Sequence, residues 1–123
     1  MTHAPAPTTL LVVDDDHLVL ETLAYGLTEA GYRVLQAASG DEAILLAREH
    51  RPDLALLDIR LQGMSGFDVA ACLRQSGGVP FLFLSGFCDA HNVAQAEALG
   101  AIACLAKPID AAQILPEVER ALA

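Results

Sequence analysis

Six side chains in this 123-residue chain are of types that serve metal or phosphoryl chemistry, and all of them stand at or just past the end of a short apolar run. Asp14, Asp15 and Asp16 follow Leu10 to Val13, Asp58 follows Leu54 to Leu57, Ser85 follows Phe81 to Leu84, and Lys107 follows Ile102 to Ala106. Carboxylates brought together from two strands repel one another unless a cation or a proton intervenes. A hard divalent ion with oxygen ligands resolves that conflict. Magnesium suits it best, because it takes one or two carboxylates, keeps waters and leaves positions for phosphate oxygens. Lys107 adds a mobile positive charge and Ser85 a hydroxyl donor, so the set fits a phosphoryl group with Asp58 or Asp14 as the oxygen nucleophile. Each residue taken alone also has a plainer role. Asp14 to Asp16 suit helix N-caps; Asp58 suits a turn, as Asp53 after Pro52 does, and Ser85 suits one before Gly86; Lys107 before Pro108 suits a solvated surface. Caps account for one or two of the three leading aspartates, and coincidence at four strand ends favours a shared site.

The elements that must position these residues are visible in the apolar pattern. Four unbroken apolar runs suit strands buried on both faces, and Arg33 to Ala37 is a fifth, less apolar strand near a sheet edge. Segments of helical period lie between them. The first carries Val19, Leu20, Leu23 and Leu27 and stops at Gly31. The second opens with Ser39 and Glu42 in capping-box spacing and halts before Pro52; the third opens with Ser65 and Asp68 and breaks at Gly77-Gly78. The fourth runs from Ala90 to Leu99. The last follows Asp110 with Gln113 at its third position, and Pro116 predicts that it starts late or kinks. Strands alternating with helices give an α/β, doubly wound, mostly parallel sheet with right-handed crossovers, and such sheets collect ligands beyond the carboxyl ends of their strands.

Composition narrows the function classes. The length and the 54% hydrophobic content suit one ordinary domain with one core. With 16 acidic against 7 basic side chains the formal charge is −9, which repels a phosphate backbone, so no direct nucleic-acid binding is expected. No apolar run approaches the roughly 20 residues of a membrane helix, so no membrane contact is expected. Residues 1–7 lack a signal peptide's basic start and apolar stretch and suggest a flexible leader, with a cytoplasmic location for the chain. Cys72, Cys88 and Cys104 form no CxxC pair and are expected to be small buried hydrophobes; the four histidines have no ligand spacing.

From Thr8 to about Leu122 the sequence resembles the receiver domain of bacterial two-component response regulators, of the CheY-like kind. The matching motifs are Leu11-Val12-Val13-Asp14-Asp15-Asp16, Leu56-Leu57-Asp58-Ile59-Arg60-Leu61-Gln62-Gly63-Met64-Ser65-Gly66, Leu84-Ser85-Gly86 and Lys107-Pro108. Any one is weak, whereas all four in order are specific. The resemblance implies a single (βα)5 flavodoxin-like domain over residues 8–123, with a parallel five-stranded sheet of order 2-1-3-4-5. It also implies a phosphorelay signal-transduction switch rather than an enzyme, in which Asp58 accepts a phosphoryl group from a sensor histidine kinase or a phosphotransfer protein. In the same family pattern Asp15 is the main acidic ligand of Mg2+, Asp14 acts beside it largely through water, and Asp58 and the backbone carbonyl of Arg60 complete the protein's share of the shell. Ser85 matches the hydroxyl that swings towards the phosphoryl group, and Lys107 the lysine that pairs with it. Asp16 falls at a variable position and remains a helix cap. Homodimerisation through the fourth helix, fifth strand and fifth helix is a further implication.

The sequence departs from the family at several points. Cys104 stands three residues before Lys107, where many receivers carry a Tyr or Phe, so coupling from Ser85 is expected to weaken or to run through Phe87 and the following loop. Gln62 replaces a common Pro, which is expected to loosen the acceptor loop. Arg60 and Phe87 occupy positions that tune dephosphorylation, and their bulk predicts a long-lived phosphoryl state. Two other readings use the same residues: a phosphate-independent receiver-like interaction module, and an aspartate-based phosphohydrolase of the haloacid dehalogenase type with Asp14 as nucleophile and Asp16 as general acid. The hydrolase is disfavoured by Leu18 where that family wants Thr. The tail Ala103 to Ala123 resembles receivers that precede an RNA-binding antitermination helix bundle; with no output segment after the fifth helix, a stand-alone receiver or a fragment of a longer regulator is expected.

Overall fold

Alternation along the strands sorts the apolar side chains of this protein onto two opposite faces of one sheet. The computed structural model describes residues 7–86 and 88–123. The element order is β1 (Thr9–Val13), α1 (His17–Glu29), β2 (Arg33–Ala37), α2 (Gly40–His50), β3 (Leu54–Leu57), α3 (Gly66–Gln75), β4 (Phe81–Ser85), α4 (Ala90–Ala98), β5 (Cys104–Ala106) and α5 (Ala111–Leu122). All strand pairs are parallel and the sheet order is β2-β1-β3-β4-β5. This is the (βα)5 flavodoxin-like arrangement expected from the sequence, with β2 as the edge strand itself.

Because successive strand residues point to opposite faces, Leu10, Val12, Leu54, Leu56, Leu82 and Leu84 pack with Leu20, Leu23 and Leu27 of α1 and Ile114 and Val118 of α5. Leu11, Val13, Ala55, Leu57, Phe81 and Phe83 face the other way, onto Ala43 and Ala47 of α2, Val69, Ala70 and Leu73 of α3, and Ala96 of α4. The three inner strands are buried on both faces and therefore read as unbroken apolar runs, whereas edge strand β2 is exposed at Arg33 and Gln36 and buried only at Ala37, and edge strand β5 is half-buried to exposed.

The helix ends follow their local chemistry. Asp16, Ser39, Ser65, Asp89 and Asp110 are the N-caps. Capping boxes close at Ser65 with Asp68 and at Asp110 with Gln113. In α2 the reciprocal bond is displaced by one residue: Ser39 accepts from the Glu42 N–H, but the Glu42 carboxylate accepts from the Ala38 N–H at 2.9 Å. α1 stops with Ala30 as C-cap, and Gly31 takes φ +102°, a left-handed conformation for which glycine carries no steric cost. α2 ends at Arg51, also left-handed at φ 45°, because the residue before Pro52 is barred from continuing the helix. Pro116 does not delay α5, so of the late start or kink expected from the sequence the late start does not occur. The helix begins directly after Asp110, whose capping box satisfies the first turn, and burial of Ile114 and Val118 carries it past the missing amide of Pro116. Asp53 is more than a turn residue: its carboxylate accepts from the Thr9 N–H at 2.8 Å and closes the start of β1. The leader expectation for residues 1–6 falls outside the described residues, as do the expectations placed on Phe87.

Candidate functional site

Parallel strands deliver their carboxyl ends to one edge, and of the side chains singled out in the sequence Asp14, Asp15, Asp58 and Lys107 meet there. β1 ends at Val13 and β3 at Leu57, which are register partners, so Asp14 and Asp58 emerge side by side. The Asp14 N–H donates to the Ala37 carbonyl at 3.1 Å and the Asp58 N–H to the Val13 carbonyl at 3.0 Å, so both backbones are held by the sheet. Ser85 is the last residue of β4, fully buried, and its carbonyl accepts from the Lys107 N–H at 2.9 Å across to the end of β5. Lys107 precedes Pro108 in a cis peptide.

Charge is concentrated at this edge. Asp14, Asp15 and Asp58 each offer a carboxylate oxygen to a cluster whose members all lie within 4.8 Å of one another. The Lys107 ammonium donates to Asp14 Oδ2 and lies 3.4 Å from Asp58 Oδ2. The remaining Asp14 oxygen, Oδ1, accepts from the Asp16 N–H at 2.9 Å. Asp58 is held more loosely: Oδ1 accepts from the Arg60 N–H at a long 3.4 Å. Asp16 stands apart as the cap of α1, accepting from the Leu18 and Val19 N–H groups at 3.0 and 3.3 Å.

Burial pushes the Asp58 carboxyl above the ordinary carboxylate range; the Lys107 charge opposes that shift, the Asp14 charge adds to it, and the Arg60 N–H opposes it weakly. Burial acts on Lys107 in the sense that would lower its pKa. The hydrogen bond to Asp14 and the charges of Asp58 and Asp14 outweigh it, so the ammonium is held above its usual 10.5. The cluster is thus a negative pocket with one internal cation. Its donor set is oxygen only, which fits a hard divalent ion and leaves no soft ligand for a transition metal.

Backbone contact fixes the Asp58 side of the cluster. Gly66, the first residue of α3, donates its N–H to the Ile59 carbonyl at 2.7 Å, and a Cβ at Gly66 would lie 2.0 Å from the Asp58 carbonyl oxygen. No side chain fits there without moving the segment that carries Asp58. We expect Gly66→Ala to lower the stability of the fold by about 1–3 kcal/mol, the usual range for overpacking, read as a shift of the urea midpoint at unchanged slope.

One contact escaped the sequence analysis. The Cys88 and Cys104 sulfurs lie 3.3 Å apart, both half-buried, and the Cys88 thiol also reaches the Ser85 carbonyl at 3.5 Å. The expectation of three isolated, buried thiols is corrected: all three are half-buried and two touch. A spacing of 16 residues carries no local signal. The pairing of β4 with β5, Phe83 opposite Cys104, is what brings Cys104 within reach of Cys88.

Comparison with known proteins agrees with this architecture. The family model for the response regulator receiver domain matches residues 10–119. The transcriptional regulatory protein PdtaR of Mycobacterium tuberculosis is 32% identical over 120 residues, which cover 97% of this chain and 58% of that protein. The chain therefore spans a little over half the length of this curated relative. Among solved structures, the chemotaxis protein CheY4 of Vibrio cholerae superposes with a TM-score of 0.90 at 30% identity, covering 95% of this chain and all of that one. CheY in a CheX-CheY-BeF3-Mg complex from Borrelia burgdorferi superposes with a TM-score of 0.89 at 25% identity, covering 95% of this chain and 90% of that one. Among the described residues no helix is long and apolar enough to cross a membrane.

Proposed function

This chain belongs to the response regulator receiver domain family, and on that premise we propose that it is a phosphorelay switch that takes a phosphoryl group onto Asp58 from the phosphohistidine of a sensor histidine kinase or a phosphotransfer protein. One observation carries the choice of Asp58 over Asp14. Both Asp14 oxygens are engaged, one by the Asp16 N–H and one by the Lys107 ammonium, whereas Asp58 is held only by long contacts. Asp58 therefore has an oxygen to offer. It attacks phosphorus, the bond from phosphorus to the donor imidazole breaks, and the imidazole leaves.

Asp14, Asp15 and Asp58, with the backbone carbonyl of Arg60, would hold Mg2+. Bound there, magnesium supplies positive charge to the phosphoryl oxygens as they transfer. Lys107 supplies a second positive charge to the Asp58 carboxylate, and its position just past β5 is fixed by the backbone bond to Ser85. The Ser85 hydroxyl then turns towards the phosphoryl group, and the surface of α4 and β5 adjusts. The fluoroberyllate and magnesium named for the Borrelia neighbour support the same chemistry here. The family's histidine kinase and phosphotransfer partners, the net charge of −9 against direct nucleic-acid contact, and self-association through α4, β5 and α5 belong to the same proposal. A regulator with these partners is a switch, not a turnover enzyme.

Intact mass after incubation with acetyl phosphate tests the assignment. We expect the wild type to gain one phosphoryl group in magnesium and none in chelator. No adduct, with no response to fluoroberyllate in a folded chain, would favour the phosphate-independent interaction module instead. Magnesium alone should also raise stability, by about 2.7 kcal/mol at a concentration a hundredfold above its dissociation constant. Asp15→Asn should remove most of that gain, as read by thermal unfolding with and without the ion.

A further inference from the structure

The contact between Cys88 and Cys104 serves no part of the phosphoryl site, yet it joins the two segments between which a switch must communicate. Cys88 lies three residues beyond Ser85 and directly before the N-cap of α4, while Cys104 opens β5 three residues before Lys107. We propose that Cys88 and Cys104 are a redox-convertible dithiol that closes to an intrachain disulfide under peroxide or a low-molecular-weight disulfide, clamping the start of α4 to β5. That this clamp regulates signalling rests on the phosphorelay role proposed above; the bond itself does not.

Geometry makes the closure short. The sulfurs lie 3.3 Å apart and need to approach to about 2.05 Å, a movement within reach of side-chain rotation on a loop residue. Both thiols are half-buried, so a small solvent-borne oxidant has access and a protein-sized one has little. Their chemical roles differ. Burial, with the Cys88 sulfur adding to it, pushes the Cys104 thiol up to about 12, so Cys104 is the weaker nucleophile of the two. Cys88, the loop residue before the N-cap of α4, is then the sulfur that an oxidant meets first.

With hydrogen peroxide the Cys88 sulfur attacks one peroxide oxygen, the O–O bond breaks, and the thiol proton leaves with the departing hydroxide as water. Cys88 is left as a sulfenic acid. The Cys104 sulfur attacks that sulfur, the S–S bond forms, the S–O bond breaks, and the Cys104 proton departs with the hydroxyl as a second water. In total two thiols are oxidised by two electrons and one peroxide is reduced to two waters. With glutathione disulfide the same two electrons pass by exchange, and two glutathione thiols are released.

Folded wild-type chain treated with hydrogen peroxide or glutathione disulfide, alkylated and weighed intact, tests the proposal. Alkylatable cysteines should fall from three to one, with Cys72 the survivor, and dithiothreitol should restore all three. Cys72→Ser should still close the bond. Cys88→Ser should not, and neither should Cys104→Ser, which leaves a lone adduct on Cys88. A bond that involves Cys72, a bond between chains, or separate stable adducts on Cys88 and Cys104 of the wild type would overturn the assignment. On oxidation, amide hydrogen exchange at Cys88 and Asp89 should slow several-fold; an unchanged rate in a chain shown to carry the bond would overturn the clamp. Neither measurement involves Asp58. Disulfide closure in a chain that takes no phosphoryl group would sink the phosphorelay proposal and leave this one standing.

Discussion

Asp58→Asn is expected to abolish phosphoryl uptake completely and, in metal-free buffer, to leave the folded chain more stable than the wild type. The loss follows from chemistry: an amide oxygen of the same shape is no nucleophile at neutral pH, and Asp14 cannot substitute while Asp16 and Lys107 occupy its oxygens. The gain follows from electrostatics. The fold raises the Asp58 pKa mainly by burying it, and a raised carboxyl pKa means that the folded chain binds the proton more tightly than the unfolded one. Asp58 therefore contributes its most favourable stability below the ordinary 3.8, where it is neutral in both states, and that contribution is lost as pH rises through the raised folded value. Asparagine stays neutral throughout. The variant's advantage in urea midpoint should be full at neutral pH and shrink as pH falls towards 3.8. A wild type as stable as the variant at pH 7 would contradict this account of the site, whatever the mass measurement shows. Such a trade of stability for function is usual where charges are gathered for a task.

Lys107→Met should have the second-largest effect, and with the opposite sign on stability. Methionine keeps much of the apolar stem and removes the ammonium that pairs with both Asp14 and Asp58. Asp14, nearly fully buried, and Asp58 then face each other without compensation. Stranding one partner of a buried ion pair costs about 3–5 kcal/mol. The Lys107 side chain is about one-fifth exposed, so a loss of about 2–3 kcal/mol is expected here in metal-free buffer. Magnesium should restore more stability to this variant than to the wild type, since it fills the same electrostatic need. The alkaline limb gives an independent check. Lys107 has a raised pKa, so its contribution is fully present below the ordinary 10.5 and fades as pH rises through the folded value; the variant should lack that limb. Phosphoryl uptake should fall by roughly 10²–10³-fold, as when one fixed donor to a developing charge is removed. Uptake within a factor of two of wild type would show that magnesium alone carries the charge.

The fold was legible where the sequence punctuates itself. Ser65 with Asp68 and Asp110 with Gln113 announced two helix starts because a capping box is a local device, and Gly31 announced a stop because only its backbone needed to be consulted. Strand order was not legible from the runs themselves. Leu10 to Val13, Leu54 to Leu57 and Phe81 to Leu84 are equally apolar because all three are buried on both faces, and nothing in them says which lies beside which; the family resemblance supplied the order. Site membership was visible because the aspartates, Ser85 and Lys107 each interrupt an apolar run at the same edge. How they are held was hidden. Whether Lys107 serves Asp14 or Asp58, and which aspartate is held by the longer contacts, depends on distances across the sheet edge. Asp53 was read as a turn former because its partner, the Thr9 amide, lies far off in sequence. The Cys88 and Cys104 contact was missed for the same reason.

Lys107 and Asp14 lie 93 positions apart in the chain, whereas Asp14 and Asp58 sit on adjacent strands formed from its first half. Short loops close sooner than long ones. In a chain growing outwards from β1, the two carboxylates are thus assembled before their counter-ion exists, and the half-built sheet carries an unbalanced charge until β5 docks. The last strand of the sheet to dock is also the one whose following lysine neutralises the end of the first, which couples closure of the sheet to balance of its charge.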